Sequence, residues 1–269
     1  MALNSVANWK VLQNSPFEEI FIHPASGDAG GAFGAAMAAN SLALGGEKKF
    51  TMKHAYYGQE YSDEETRNFL EENGIEYEYV ENENRLVEKI AKEISGGKVV
   101  GWFQGKFEWG PRALGSRSIL ADPRREDMKD IVNTKIKFRE PYRPFAPSVL
   151  AERAGEIFEM PEAQKHSPAR FMLYVVPVRK EKKKVVPAIT HVDGSARPQL
   201  VFQEESPLYH KLISEFFKLT GVPLVLNTSF NLKGEPIVSA PKDAYSTFQR
   251  SGIDILVLGK FIVAKGKND

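Results

Sequence analysis

The sequence predicts an α/β or α+β fold, with helices flanking a twisted and partly parallel sheet. Segments with the apolar periodicity of helices alternate with short apolar segments typical of strands through most of the 269 residues. Hydrophobic residues make up 42% of the chain and charged residues 26%, a composition that supports a substantial core. The length fits one large domain or two smaller ones.

The composition excludes several classes of function. The chain has no cysteine, which rules out disulfides, thiolate nucleophiles and zinc–thiolate sites. Its net charge of +1 does not indicate nucleic acid or an anionic membrane as a partner, so an anion site must come from local clustering. No apolar run is long enough to span a bilayer, and the amino terminus lacks the pattern of a signal peptide. We therefore expect a cytoplasmic protein.

The first 46 residues predict a few elements that belong to a larger unit. Residues 5–12 are predicted as a helix, 19–22 as a short strand, 24–31 as a loop and 32–44 as an alanine-rich helix that ends at two glycines. The predicted strand has no partner strand in this segment. A polar stretch at 47–53 predicts a boundary after it.

Helices and strands alternate in the rest of the chain. A helix is predicted at 64–73, with Ser62 as its N-cap and Glu65 completing a capping box. The basic run 179–184 is predicted as an exposed hairpin turn between strands. The other predicted helices are 84–95, 127–133, 210–220 and 242–251, and the predicted strands are 76–80, 99–103, 145–150, 171–178, 223–226, 255–258 and 261–263.

A basic segment from Lys106 to Arg143 carries ten basic and six acidic side chains. Clustered cations repel each other unless an anion neutralises them, and the planar guanidinium group matches phosphate or carboxylate. Lys137 and Arg139 would share a face if their stretch were extended. We favour a functional role for Arg112, Lys137 and Arg139. The alternative, a solvated basic surface with ion pairs, is preferred for Arg124, Arg125 and Lys129.

Two further segments carry candidate ligand-binding residues. A predicted strand runs into residues 227–231 (NTSFN), and small polar side chains at the carboxyl end of a strand often bind ligands in α/β sheets. The same residue types also form Asx turns for structural reasons, and the sequence leaves both interpretations open. In the segment THVDGSARPQ, His191 beside a turn is more often structural or solvated than catalytic. Arg197 in that segment could join an anion site if the fold brings it back to the basic cluster.

The segment PASGDAGGAFGAA (24–36) opens a helix with several glycines. Such a loop can bind phosphate through backbone N–H groups and the helix dipole, and Asp28 within it could coordinate a metal ion through oxygen. The alternative is a loop of small residues that allows tight helix packing. A Walker lysine and a complete dinucleotide fingerprint are both missing from it.

Four motifs together resemble one known family. The runs FEWGPRALGSRSILADPR, KFREPYRPFAPSVL, THVDGSARPQ and PLVLNTSFNLKGEPIV, in this order, are similar to the carboxyl-terminal domain of the NodU/CmcH/TobZ O-carbamoyltransferases. The resemblance implies a YrdC-like domain, a twisted mixed sheet with flanking helices, that makes carbamoyladenylate from carbamoyl phosphate and ATP. In that family an amino-terminal ASKHA-type domain, similar to the TsaD proteins, binds nucleotide and iron and transfers the carbamoyl group to a hydroxyl.

The resemblance also implies roles for single residues. The Lys-x-Arg and Ser-x-Asn pairs of YrdC-like domains would be Lys137 with Arg139 and Ser229 with Asn231. Arg112 and Arg197 are implicated in holding the phosphate and carbamoyl groups. Further candidates for nucleotide or phosphate binding are Arg117, Ser118, Arg143, Asn227 and Thr228.

The resemblance divides the chain into residues 1–46, the tail of an ASKHA-type transfer domain, and residues 47–269, the YrdC-like domain. MALNSVANWK is similar to a Gly-Gly-x-Ala-Leu-Asn-x-x-x-Asn segment of the family, without its glycines. Asp28 would be a metal ligand, while the family's other ligands, paired histidines and an aspartate, lie upstream. His23 and His54 do not occupy those positions.

These implications set the expected cofactors and partners. ATP with Mg²⁺ and carbamoyl phosphate are expected, and iron only in the complete family member. The expected partners are small-molecule substrates and an ASKHA-type domain supplied from elsewhere, with no nucleic acid and no membrane. Two alternatives remain, a fragment that is inactive without that domain and a YrdC-like module that binds RNA or another anion. The acceptor would be a hydroxyl of a small molecule or a glycan.

Overall fold

The computed structural model describes residues 1–46 and 51–265. The polar boundary predicted at 47–53 therefore lies largely outside the described residues. The strands of the described ranges are β1 (Glu78–Tyr79), β2 (Val100–Phe103), β3 (Arg117–Ala121), β4 (Ala146–Leu150), β5 (Val176–Pro177), β6 (Ser195–Ala196), β7 (Gln199–Val201), β8 (Leu224–Ser229), β9 (Ile255–Leu258) and β10 (Phe261–Ala264).

Helices lie between most of these strands. The α-helices are α1 (Ser5–Gln13), α2 (Asp28–Leu42), α3 (Asp63–Glu72), α4 (Glu83–Ser95), α5 (Met128–Asp130), α6 (Ala154–Ile157), α7 (Pro207–Thr220) and α8 (Pro241–Gln249). A π-helix, Ile131–Ile136, continues α5. Short 3₁₀ helices occur at Ala151–Arg153, Ala163–Lys165, Ser167–Phe171 and Pro187–Ile189.

One mixed sheet organises the molecule. Its strand order is β1-β10-β9-β2-β3-β8-β4-β7, and a second small sheet pairs β5 with β6. The β2–β9 and β4–β7 pairs are parallel, and the other pairs in the large sheet are antiparallel. The predicted fold class, a mixed sheet with flanking helices, is confirmed.

Two amphipathic helices, α4 and α7, pack against each other and against strands β3, β4 and β8. In α4 the buried residues Leu86, Ile90 and Ile94 recur every four positions, so they lie on one face. In α7 the buried residues Leu212 and Phe216 recur at the same spacing. Together these side chains form the core on one side of the strands that carry the candidate site.

The predicted helices agree well with the structure. Helix α3 begins after Ser62, and both hydrogen bonds of the predicted capping box with Glu65 are present. Helix α2 begins at Asp28, four residues before the predicted start, because the glycine-rich stretch is itself helical. None of the residues of α2 is buried. No helix among the residues described is long and apolar enough to cross a bilayer.

Two predicted strands are wrong. Residues 19–22 form no strand, since no other segment within residues 1–46 and 51–265 pairs with them. The segment 171–178 is a strand only at β5, because its backbone is used elsewhere: Ser5 Oγ donates to the Met172 carbonyl at 3.0 Å, and the Val175 N–H donates to the Ser5 carbonyl at 3.1 Å. The basic run 179–184 forms turns as predicted, but it is part of a longer connection from β5 to β6.

Candidate active site

Three loops and the start of α1 surround a cleft of about 510 Å³, which we name the arginine cleft. The first loop precedes β3, the second follows the π-helix, and the third is the turn before and after β6. The polar side chains that line the cleft belong to Asn4, Ser5, Arg112, Arg139, Arg143, His191, Asp193, Ser195 and Arg197.

The cleft brings together three partly buried arginines that are 27 or more positions apart in the chain, Arg112, Arg139 and Arg197. Burial, together with the positive charges of Arg112 and Arg139, lowers the pKa of Arg197 to about 10. Burial and the charge of Arg143 lower the pKa of Arg139. The buried Nε atoms of Arg112 and Arg197 have no hydrogen-bond partner within the described residues. Such a cluster gains stability from a bound anion, because the anion offsets both the repulsion and the loss of hydration.

Asn133, a buried residue of the π-helix, holds Arg139 in place. Its Oδ1 accepts a hydrogen bond from Arg139 Nε at 2.7 Å, while its Nδ2 donates to the carbonyls of Pro141 and Arg143, both at 3.0 Å. The Arg139 guanidinium also lies 4.7 Å from the centre of the Phe145 ring. Sequence reasoning missed Asn133, which carries no signal beyond its place in a predicted helix.

Phe138 sets the directions of its two basic neighbours. Its φ of 47° is in the left-handed region, which costs a non-glycine residue about 1–2 kcal/mol. Residues 137 and 138 are not extended, so the condition under which Lys137 and Arg139 would share a face is not met. Arg139 lines the cleft, whereas Lys137 points to the end of β8.

A compact hydrogen-bonded group surrounds Lys137, and we name Lys137, Ser229 and Asn231 the lysine cluster. Lys137 Nζ lies 2.7 Å from the Ser229 carbonyl, 3.2 Å from Ser229 Oγ, 2.9 Å from the Asn231 carbonyl and 2.6 Å from Asn231 Oδ1. Ser229 Oγ donates to Asn231 Oδ1 at 2.7 Å. Burial and the charge of Arg139 lower the pKa of Lys137 to about 7, while the four oxygen acceptors favour the charged ammonium.

Four of the predicted binding residues lie within the fold instead of lining the cleft. Arg117 is fully buried, donates from Nη1 to the carbonyls of Gln104 and Gly105, and stacks 3.6 Å above the Phe103 ring. Ser118 Oγ accepts from the Gly115 N–H at 3.0 Å.

The other two lie on β8. Asn227 is buried and donates to Ser148 Oγ at 2.8 Å, and Thr228 pairs with Ile119 in the sheet. Arg143 differs from these four, because it lies exposed at the edge of the cleft, where it pairs with Glu140 at 3.0 Å.

Glu108, a buried carboxylate, fixes the loop that carries Arg112. Its Oε1 accepts hydrogen bonds from the N–H groups of Leu114 and Ser116, both at 2.7 Å, and of Arg117 at 3.2 Å. Burial raises the pKa of Glu108. Gly115 is needed in the same loop, because its φ is 108° and a Cβ there would lie 2.3 Å from the Tyr209 ring. The sequence signal that could have indicated a role for Glu108 is its position as a single carboxylate between Phe107 and Trp109 in a glycine-rich segment.

The predicted metal ligand lies elsewhere. Asp28 is exposed in the first turn of α2. No group of three or more metal-ligating side chains that could hold a metal ion occurs among the described residues. These described residues alone do not fit an iron site, and the role of Asp28 stays a prediction.

The comparisons with known proteins agree with the motifs around this cleft. A family model described as "Carbamoyltransferase C-terminus" matches residues 91–265, and one described as "Carbamoyltransferase N-terminus" matches residues 1–37. The chain belongs to the carbamoyltransferase family. The C-terminus match contains every residue of the arginine cleft that lies after α4, and the N-terminus match contains the first turn of α1.

The similar proteins include two named members of this group. Over 98% of this chain and 39% of the relative, the chain is 44% identical to "Nodulation protein NolNO" of Sinorhizobium fredii. It is 34% identical to the 3'-hydroxymethylcephem-O-carbamoyltransferase of Streptomyces clavuligerus, over 96% of this chain and 46% of that enzyme. The chain thus spans less than half the length of these relatives. Among solved structures, Sua5 of P. abyssi in complex with L-threonine matches with a TM-score of 0.48 at 17% identity, over 66% of this chain and 47% of that one.

Proposed function

We propose that this chain carries the carbamoyl-activating part of an ATP-dependent O-carbamoyltransferase. The arginine cleft is the observation that supports this best. Three partly buried guanidinium groups converge there, and two of them have buried Nε atoms without partners in the described part of the chain. Carbamoyl phosphate and ATP are both anions whose phosphate groups match such donors.

In the proposed reaction the chain forms carbamoyladenylate. Water cleaves the phosphate from carbamoyl phosphate, and the resulting carbamate oxygen bonds to the α-phosphorus of ATP while pyrophosphate leaves. Arg112, Arg139 and Arg197 would hold the phosphate groups, so catalysis would rest on positioning and on stabilising negative charge. Mg²⁺ would accompany ATP through its phosphates.

The lysine cluster would take part once the substrates bind. Lys137 Nζ would exchange some of its bonds to Ser229 and Asn231 for phosphate oxygens. The side chains of Ser229 and Asn231 would then be available to the carbamoyl group or the α-phosphate. The lowered pKa of Lys137 fits this role, because a nearby phosphate anion would favour the charged ammonium.

The decisive test is carbamoyl-phosphate-dependent exchange of labelled pyrophosphate into ATP. We expect exchange by the wild-type chain, and a decrease of several orders of magnitude in Lys137→Ala and in Arg112→Ala. Arg125→Ala is the matched control, because Arg125 pairs with Asp127 on the surface. Normal exchange in Arg112→Ala would remove Arg112 from the mechanism. No exchange by a folded wild-type chain would mean that activation requires another domain or that the proposal is wrong.

Transfer of the carbamoyl group to an alcohol would be completed by an ASKHA-type domain. Support comes from the match of residues 1–37 to the N-terminus family model and from the greater length of the relatives. The division into a transfer part (1–46) and an activating part (47–269) belongs to this proposal, as does an acceptor hydroxyl on a small molecule or glycan. RNA binding has less support, because Arg125 and Arg143 pair with carboxylates of their own loops.

A further inference from the structure

His191, Asp193 and Ser195 form a hydrogen-bonded chain on the wall of the arginine cleft, and the proposed reaction does not use it. Ser195 Oγ lies 2.6 Å from Asp193 Oδ1 and 3.2 Å from His191 Nδ1. The backbone fixes the turn, since the His191 N–H donates to the Ser195 carbonyl at 2.8 Å and the Gly194 N–H to the His191 carbonyl at 2.9 Å. All three side chains line the cleft.

The number of protons shared by these three hydrogen-bonded side chains determines the protonation state of the His191 imidazole. A serine hydroxyl has one proton, and the short contact with an ionised carboxylate assigns it to Asp193. Ser195 Oγ then offers only lone pairs to His191, so Nδ1 must carry a proton. The proton on Nε2 therefore decides whether the ring is neutral or an imidazolium.

Charges around the ring oppose each other. Burial lowers the pKa of His191, and the nearby cations Arg197 and Lys129 lower it too, while Asp193 and the Phe145 backbone raise it. An anion bound beside Arg197 would remove the repulsion from the cations and add an attraction to the charged ring. The titratable and charged groups that face or flank the ring are Asp193 on its own turn, Arg197 after β6, Arg112 before β3, Arg139 and Arg143 after the π-helix, and Lys129 on α5.

We propose that His191 is a proton-dependent ligand of the anion in this cleft: it becomes an imidazolium when a phosphate-type anion binds beside Arg197, and it loses the proton when the anion leaves. Ser195 and Asp193 act as positioning residues that keep a proton on Nδ1. The inference rests on the proposed function in that the cleft must bind anions, but it does not depend on carbamoyladenylate chemistry. Anion binding by the cleft would then take up a proton from solvent.

Sulfate is the probe, because it stays a dianion around neutral pH and adds no titration of its own. Calorimetry in buffers with different ionisation enthalpies measures the protons taken up per sulfate bound. For the wild-type chain we expect uptake of a large fraction of a proton near neutral pH. The affinity for sulfate should decrease by up to about tenfold for each unit by which the pH rises. His191→Gln should bind sulfate with a smaller proton uptake and a weaker pH dependence than the wild type, and what remains would come from Lys137. The control is His210→Gln, since His210 lies on α7 and pairs with Glu152. This variant should behave like the wild type.

A second variant tests the chain without removing the ring. In Asp193→Asn the imidazolium loses a stabilising charge, so proton uptake should move to lower pH. Sulfate binding without proton uptake in the wild type would overturn the role of His191, while the arginine cleft would still be an anion-binding site. Proton uptake as large in His191→Gln as in the wild type would also overturn it and would assign the uptake to Lys137. If sulfate did not bind, or if Arg197→Ala left its binding unchanged, the claim that the arginine cleft binds anions would be wrong. The role of His191 would then be wrong as well.

Discussion

At the scale of single residues, Lys137 connects two parts of the chain that are 92 positions apart. Its side chain is 4% exposed and has oxygen atoms of Ser229 and Asn231 as its neighbours. Its ammonium group therefore bridges two parts of the fold, and its pKa is strongly lowered by burial. Protonation of Lys137 links pH to the stability of the fold as well as to the proposed chemistry.

Lys137 should make the free energy of unfolding depend on pH. The pKa of Lys137 is lowered to about 7 in the folded chain from 10.5, so between these values the unfolded chain binds more protons than the folded one. Its contribution to stability therefore increases from about pH 7 to about pH 10 and is lost as the pH falls through 7. Denaturant unfolding across this range should show a smaller increase in Lys137→Met than in the wild type. If the free energy of unfolding increased equally with pH in the two proteins, the lowered pKa of Lys137 would be contradicted.

The residues that carry charge could be predicted from sequence, but the residues that position them could not. Arg112, Arg139 and Arg197 stood out because guanidinium groups near glycine and turn residues indicate anion binding, and the structure brings all three to one cleft. Asn133 and Glu108 acquire their roles from contacts with backbone groups that only the folded chain provides. Arg117 carried the same signal as Arg112, yet its guanidinium binds the carbonyls of the chain itself.

At the scale of elements, the loop before β3 depends on one carboxylate. Glu108 accepts three backbone hydrogen bonds within residues 114–117, a stretch in which every residue is buried. Buried N–H groups cannot turn to water when their acceptor is removed. This loop therefore places Arg112 only as long as the Glu108 carboxylate is present.

Glu108→Ala should destabilise the chain by roughly 3 kcal/mol, because three buried N–H groups lose their acceptor. Denaturant unfolding of the wild type and the variant gives the difference. Glu126→Ala is a suitable control, since Glu126 is exposed, and it should change stability by less than about 0.5 kcal/mol. A loss in Glu108→Ala no larger than in the control would show that the loop holds its shape without the carboxylate.

The elements that sequence reasoning missed share a physical cause. Strand β3 lies inside a motif rich in charged and small residues, so its five buried residues, 117–121, did not produce a strand pattern. The apolar segment 171–178 did produce one, but α1 uses its carbonyls and prevents regular pairing. Segments whose pattern alone decides burial, such as α4 and β9, were predicted within one residue.

At the scale of the whole molecule, large apolar side chains are exposed in the amino-terminal part. Phe17 and Phe21 are 66% and 61% exposed, and Leu42 and Leu44 are 79% and 78% exposed. Exposed apolar groups concentrated in one segment are typical of surfaces that bind another polypeptide. This agrees with the proposal that residues 1–46 belong to a transfer domain.

The double variant Phe17→Ser and Phe21→Ser should reduce self-association of the isolated chain. The reason is that these exposed rings would otherwise contact those of neighbouring molecules. Sedimentation velocity over a range of concentrations measures the change. Leu219→Ser removes an exposed apolar side chain from α7 and should have little effect. Self-association that is equal in all three proteins would show that this segment is not the adhesive surface.

The parallel pairing of β2 with β9 also has a consequence for how the protein is made. Val100 pairs with Ile255, so β2, a strand inside the sheet, takes one of its partners from a much later part of the chain. Contacts with such long separations in sequence are slow to form, because the chain entropy of a large loop is lost before the pairing stabilises it. During synthesis on the ribosome the sheet beside the loops that carry Arg112, Arg139 and Arg197 would remain incomplete until β9 and β10 emerge. The arginine cleft should therefore form late in the folding of this sheet, and binding of its ligands would report that the sheet is complete.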